Sequence, residues 1–114
     1  MKKRILIVED DQSTMTIYKK SLKKDNWFCT FCSDLDKALD YLNGQQYDII
    51  ISDGNTGSSI TGEEFLIRAA TIQPDSLRIL ISGTIVPRNC VEIHLFIQKC
   101  EFSGESLKKM IMAI

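Results

Sequence analysis

The chain has 114 residues, with 14 basic and 15 acidic side chains and a formal charge of -1. That length holds one domain with its own core, so a single domain over 1–114 is expected, and 44% hydrophobic with 25% charged residues is ordinary for a globular protein. The near-neutral charge gives no support for nucleic-acid or membrane binding through bulk electrostatics. No apolar run approaches a membrane span or the core of a secretory signal, so the expected location is the cytoplasm. Short basic clusters (Lys2-Lys3-Arg4, Lys19-Lys20, Lys23-Lys24) alternate with acids and read as solvated surface.

Arg4-Ile5-Leu6-Ile7-Val8 is a short apolar run, which reads as a buried strand, and it ends in Glu9-Asp10-Asp11. Residues 12–24 follow as a helix, capped by Asp11 or Ser13, with Met15, Tyr18 and Leu22 on one face. Lys19, Lys20, Lys23 and Lys24 suit its last turns. Trp27-Phe28-Cys29-Thr30-Phe31-Cys32 is aromatic and β-favouring, hence a second strand. Cys29 and Cys32 form a C-x-x-C, but on a strand they face opposite sides of the sheet, which is poor geometry for a shared metal. Together with Cys90 and Cys100 they are expected as reduced thiols. Ser33 is expected to cap a second helix with Asp36 in capping-box position. Its inner face is Leu35, Ala38, Leu39 and Leu42, and Gly44 ends it.

The third strand is Asp48-Ile49-Ile50-Ile51-Ser52-Asp53, β-branched at its centre and closed by an acid. Gly54-Asn55-Thr56-Gly57-Ser58-Ser59 is turn chemistry. A helix over 62–72 turns Phe65, Leu66 and Ala69 inward, and Pro74 lies past its end. Leu77-Arg78-Ile79-Leu80-Ile81 is a fourth strand, ending at Ser82-Gly83-Thr84. Residues 87–92 hold only a short helix, and Leu95-Phe96-Ile97-Gln98 is a fifth strand ending at Lys99. Ser103 caps a final helix with Leu107, Met110, Ile111 and Ile114 inward. Strands alternating with amphipathic helices imply an α/β fold, a doubly wound parallel sheet with helices on both faces. No G-x-G-x-x-G or P-loop is present, which removes the main support for a nucleotide-binding reading.

The strand ends carry the chemistry. Two parallel strands ending in Glu9-Asp10 and in Asp53 can bring three carboxylates together at the edge where such sheets bind ligands. Close carboxylates repel unless a cation lies among them, and oxygen-only ligation suits Mg²⁺. Asp53 is then available as a nucleophile. A Mg²⁺-dependent phosphohydrolase would use the same acids. It lacks its second aspartate, because Asn55 stands two residues after Asp53, and no general acid is evident.

With Ser82-Gly83 and Lys99 closing the fourth and fifth strands, the chain resembles the response-regulator receiver domains, the family of the chemotaxis regulator, along essentially its whole length. The resemblance implies a flavodoxin-like sheet of strand order 2-1-3-4-5. It implies a phosphoacceptor with at most self-catalysed turnover, and not an enzyme acting on other molecules. In that family a histidine kinase or phosphotransfer protein supplies a phosphoryl group to an aspartate, here Asp53. Glu9 and Asp10 match the acidic pair that holds Mg²⁺ with Asp53, and Asn55 matches the residue whose backbone carbonyl is a further ligand. Ser82 matches the hydroxyl that turns toward the phosphoryl group, Lys99 the lysine that pairs with it, and Phe96 the aromatic that moves with the hydroxyl. No effector sequence follows Ile114 in this chain, so signalling to an output protein by protein–protein contact is expected, without direct nucleic-acid or membrane binding.

Three departures from the family pattern bear on regulation. The loop after Asp53 lacks Met-Pro, and its spacing to Gly62 is one residue longer than the family pattern. Cys100 stands where a proline follows the lysine, and a cis Lys99-Cys100 bond would cost about 2.5–4 kcal/mol, so trans is expected. Ser82 to Lys99 spans only 17 positions, so the helix between the fourth and fifth strands must be shortened. That helix forms much of the family's output and dimer face, so standard dimerisation is not expected. These departures also keep open a second reading, a receiver that is not phosphorylated and serves as an interaction module.

Overall fold

Two aliphatic runs, Ile5-Leu6-Ile7-Val8 and Ile49-Ile50-Ile51, are at most 1% exposed along their whole length. A strand buried on both faces needs cover on both, and the remaining elements supply it. The computed structural model of the chain describes residues 2–54, 59–83, 90–98 and 103–114. Their order is β1 (Lys3–Val8), α1 (Gln12–Ser21), β2 (Trp27–Cys32), α2 (Leu35–Gly44), β3 (Ile49–Asp53), α3 (Gly62–Ile72), β4 (Leu77–Ser82), β5 (Leu95–Gln98) and α4 (Gly104–Ala113).

The strands form one parallel sheet in the order β2-β1-β3-β4-β5, as the resemblance implies. Alternate residues of each strand point to opposite faces. Leu6, Val8, Ile50 and Leu80 join Leu35, Ala38 and Leu42 of α2 and Phe65, Leu66 and Ala69 of α3 in one core. Ile5, Ile7, Ile49, Ile51, Ile79 and Ile81 join Tyr18, Leu107 and Ile111 of α1 and α4 in the other. Each such side chain contributes roughly 1.5–3 kcal/mol on burial. Cys32 belongs to the first core and Cys29 packs against the second, so the C-x-x-C is split across the sheet as expected.

Helix ends depart from expectation in three places. Helix α1 stops at Ser21, not Lys24, and Leu22 is its cap, still buried at 3% exposure. Asp11 is the N-cap, and its side chain accepts from the Thr14 N–H at 2.8 Å. Asp34, not Ser33, caps α2: the backbone turns helical at Leu35, and the Asp34 carboxylate accepts from the N–H groups of Asp36 and Lys37. Gly44 is the last residue of α2, as expected, and Gln45 is the C-cap. Ile114 is 51% exposed and does not join the core, because α4 ends at Ala113. Residues 84–89, and with them the first half of the predicted short helix, lie outside the described residues, while Val91 and Glu92 form a turn.

Candidate functional site

Strands β1 and β3 are hydrogen-bonded neighbours, with Val8 beside Ser52 in register. The residues just past that point are Glu9, Asp10 and Asp53. One carboxylate oxygen of each lies within 4.8 Å of the others. Glu9 and Asp53 are buried, at 2% and 7% exposure, and Asp10 is exposed. The backbone fixes this arrangement: the Glu9 N–H donates to the Cys32 carbonyl at 2.9 Å, and the Asp11 N–H donates to the Glu9 carboxylate at 3.1 Å.

The donor set suits a hard divalent cation. Around Mg²⁺, with oxygens at 2.0–2.1 Å, ligands on an octahedron lie roughly 2.9 Å apart when adjacent and roughly 4.2 Å when opposite. Three carboxylate oxygens within 4.8 Å need only small side-chain adjustment to meet that geometry. Two of the three are on buried residues, where an uncompensated cluster of like charge is costly.

Asp53 is held from three sides. It pairs in register with Ile81 of β4. The next residue, Gly54, donates its N–H to the Ile81 carbonyl at 2.9 Å and accepts from the Gly62 N–H at 3.0 Å. The Ser52 hydroxyl donates to the Asp53 carbonyl at 2.9 Å. Ser82, the last residue of β4, is 5% exposed, and its hydroxyl stands over Gly54 so closely that a β-carbon there would lie 2.8 Å from it. Phe96 pairs in register with Leu80 and packs half-buried against the core under α2 and α3.

Of the seven residues singled out in the sequence, the structure therefore brings together Glu9, Asp10 and Asp53, and sets Ser82 beside the Asp53-Gly54 turn. Phe96 lies one strand over, on β5. Asn55 and Lys99, like Thr84 and Cys100, lie outside the described residues. The sequence reading missed Gly62, whose absent side chain lets α3 start against the Asp53 carbonyl. The available signal was a glycine at the first position of a helix whose N-cap, Thr61, already satisfies it.

A family model described as response regulator receiver domain matches residues 5–110. Comparison with curated proteins found no match. Among solved structures, a CheY-like response regulator receiver domain protein from Methanospirillum hungatei superposes with a TM-score of 0.86 at 21% identity, covering 99% of this chain and 93% of its own. An uncharacterized protein from Neptuniibacter caesariensis is 26% identical with a TM-score of 0.84, over 97% of this chain and 85% of its own. A response regulator protein from Burkholderia pseudomallei, solved with a phosphorylated aspartic acid, a calcium ion and citrate, is 16% identical with a TM-score of 0.78, over 97% of this chain and 71% of its own.

Proposed function

The chain belongs to the response-regulator receiver domain family, and from that premise we propose that it accepts a phosphoryl group on Asp53 from a histidine kinase or phosphotransfer protein. The observation that supports this most directly is the meeting of Glu9, Asp10 and Asp53 within 4.8 Å at the carboxyl edge of the sheet. Asp53 attacks through a carboxylate oxygen: an O–P bond forms, the P–N bond of the donor phosphohistidine breaks, and the imidazole leaves with its electron pair. Glu9, Asp10 and Asp53 would hold Mg²⁺, and the family resemblance adds the backbone carbonyl of Asn55. When bound, Mg²⁺ offsets repulsion between the anionic donor and the acidic pocket. Ser82 donates a hydrogen bond to the new phosphoryl oxygens, and Lys99 pairs with them. Drawing the Ser82 hydroxyl toward Asp53 opens space for Phe96, now half-buried, to pack further inward. That biases a two-state element that an output protein reads.

The test is intact-protein mass after incubation with Mg²⁺ and acetyl phosphate. Wild type is expected to gain one phosphoryl adduct, absent in EDTA and absent from Asp53→Asn. An adduct that persists in Asp53→Asn would overturn the assignment. No adduct together with no measurable Mg²⁺ binding would favour a receiver that works only as an interaction module.

A further inference from the structure

Strand β2 is one of the two outer strands of the sheet, with β1 on one side only. The Lys3 N–H donates to the Asn26 carbonyl at 2.8 Å, and the Glu9 N–H to the Cys32 carbonyl at 2.9 Å. In a parallel ladder these bonds turn the backbone of even-numbered β2 residues toward β1. The N–H and C=O groups of Cys29 and Phe31 then point away from the sheet, as a row able to pair with another strand.

This edge is flanked by hollows and coated with cations. On the α1 face, a hollow of about 480 Å³ is lined by Lys19, Lys23 and Lys24 with Trp27 and Phe31. On the other face, a hollow of about 350 Å³ is lined by Arg4, Phe28 and Tyr41, and the two rings are 46% and 42% exposed. Lys2 lies 4.2 Å and Arg4 5.4 Å from the Phe28 ring, Lys19 5.8 Å from Phe31, and Lys24 5.7 Å from Trp27. Every cation–π contact among the described residues is on this one strand. Asp25 also lines the first hollow, and Asp48, near Lys2 and Lys3, accepts from the Arg4 N–H. A chain of net charge -1 thus places a basic rim around its open edge.

We propose that β2 is a docking edge for an acidic, extended segment of a partner protein, which adds beside it as a further strand. Main-chain bonds to Cys29 and Phe31 supply affinity, carboxylates at alternate positions reach Lys19, Lys23 and Lys24 on the α1 face, and the apolar side chains between them face Phe28 and Tyr41. A second copy of this chain is the poorer occupant, because edge-to-edge pairing would press two lysine sets together. Single-stranded nucleic acid stacks its bases on open ring faces, but here lysine and arginine already stand over Phe28, Phe31 and Trp27. Strand β1 separates this edge from β3 and Asp53, and Asp53→Asn is expected to dock the segment as wild type does.

The experiment titrates the full chain with an acetylated peptide of alternating glutamate and valine. Emission of Trp27, the single tryptophan, and amide exchange of Cys29 and Phe31 are followed. The expected result is a saturable change in emission and exchange slowed about tenfold or more at both amides. Lys19→Glu with Lys23→Glu, or the Gln pair if the Glu pair does not fold, is expected to weaken binding about tenfold. An alternating lysine-valine peptide is expected not to bind. No saturable change would overturn the proposal, and so would binding that leaves the Cys29 and Phe31 amides unprotected. Tighter binding of oligothymidylate than of the peptide would assign the rim to nucleic acid. A concentration-dependent dimer that the peptide does not displace would assign the edge to a second copy.

Discussion

Two glycines next to Asp53 have opposite tolerances. A β-carbon on Gly62 would overlap the Asp53 carbonyl, which is backbone and cannot yield. Helix propensity favours Gly62→Ala by roughly 0.5–1 kcal/mol, but overpacking costs about 1–3 kcal/mol, so net destabilisation near 1–2 kcal/mol is expected in urea unfolding. On Gly54 the obstacle is the Ser82 hydroxyl, a side-chain atom that can rotate away. Gly54→Ala is therefore expected to cost less than about 1 kcal/mol, yet to slow formation of the acetyl-phosphate adduct because Ser82 is displaced. A larger stability loss for Gly54→Ala than for Gly62→Ala would contradict this account.

Cys29 is a second residue-scale case. Burial pushes its thiol from 9.0 up to about 11. Thiolate near pH 8 is then about 100-fold scarcer than from an ordinary thiol. Iodoacetamide at pH 8 is expected to label Cys29 far more slowly in the native protein than in urea, as read by peptide mass. The raised value also sets a sign. The folded state holds this proton more tightly, so the stability contribution is complete below about pH 9 and is lost as pH climbs toward 11.

At the scale of elements, the joints on the edge away from the acids depend on buried polar side chains. Gln73, the C-cap of α3, is 2% exposed. Its carbonyl accepts from the Tyr47 N–H at 2.8 Å, and its amide donates to the carbonyls of Leu42 at 2.9 Å and Gln45 at 2.6 Å. One side chain thus ties the α2–β3 connection to the end of α3. Gln73→Ala leaves a buried N–H and carbonyl without partners, and a loss of about 3 kcal/mol is expected in urea unfolding. A loss below about 1 kcal/mol would show that water replaces the amide. Arg78 does similar work at β4: its guanidinium donates to the carbonyls of Gln73 and Ser76 and to that of Glu92 before β5. Burial lowers its pKa, and the Glu92 charge opposes the shift.

For the whole molecule, a cation bound at the acidic cluster would add to stability. Glu9, Asp10 and Asp53 repel one another, and an ion that binds only the folded chain stabilises it by about 2.7 kcal/mol at 100 times its Kd. Mg²⁺ is expected to raise Tm over that in EDTA. Asp10→Asn is expected to raise Tm in EDTA by relieving repulsion and to abolish most of the Mg²⁺ shift. Thermal melts of both proteins in both buffers check this, and an equal Mg²⁺ shift in the variant would exclude Asp10 as a ligand.

The sheet was legible in the residues because Ile5 to Val8 and Ile49 to Ile51 are continuous aliphatic runs, and such runs persist only where both faces are covered. The acids were legible for a related reason: Glu9, Asp10 and Asp53 break those runs at the same end, so pairing in parallel register had to bring them together. Local pattern could not choose between neighbouring caps such as Ser33 and Asp34, since either has the right oxygen and only the path of the backbone decides which one reaches the helix amides. Nor could it reveal that Gly62 must be bare, that Gln73 and Arg78 bridge segments distant along the chain, or that basic clusters on α1 and β1 converge on the rings of β2. Periodicity and strand-end chemistry are properties of adjacent residues and belong to the sequence alone. Close approach, satisfied buried amides and a charged rim are relations between segments far apart in the chain, and only their packing in three dimensions decides them.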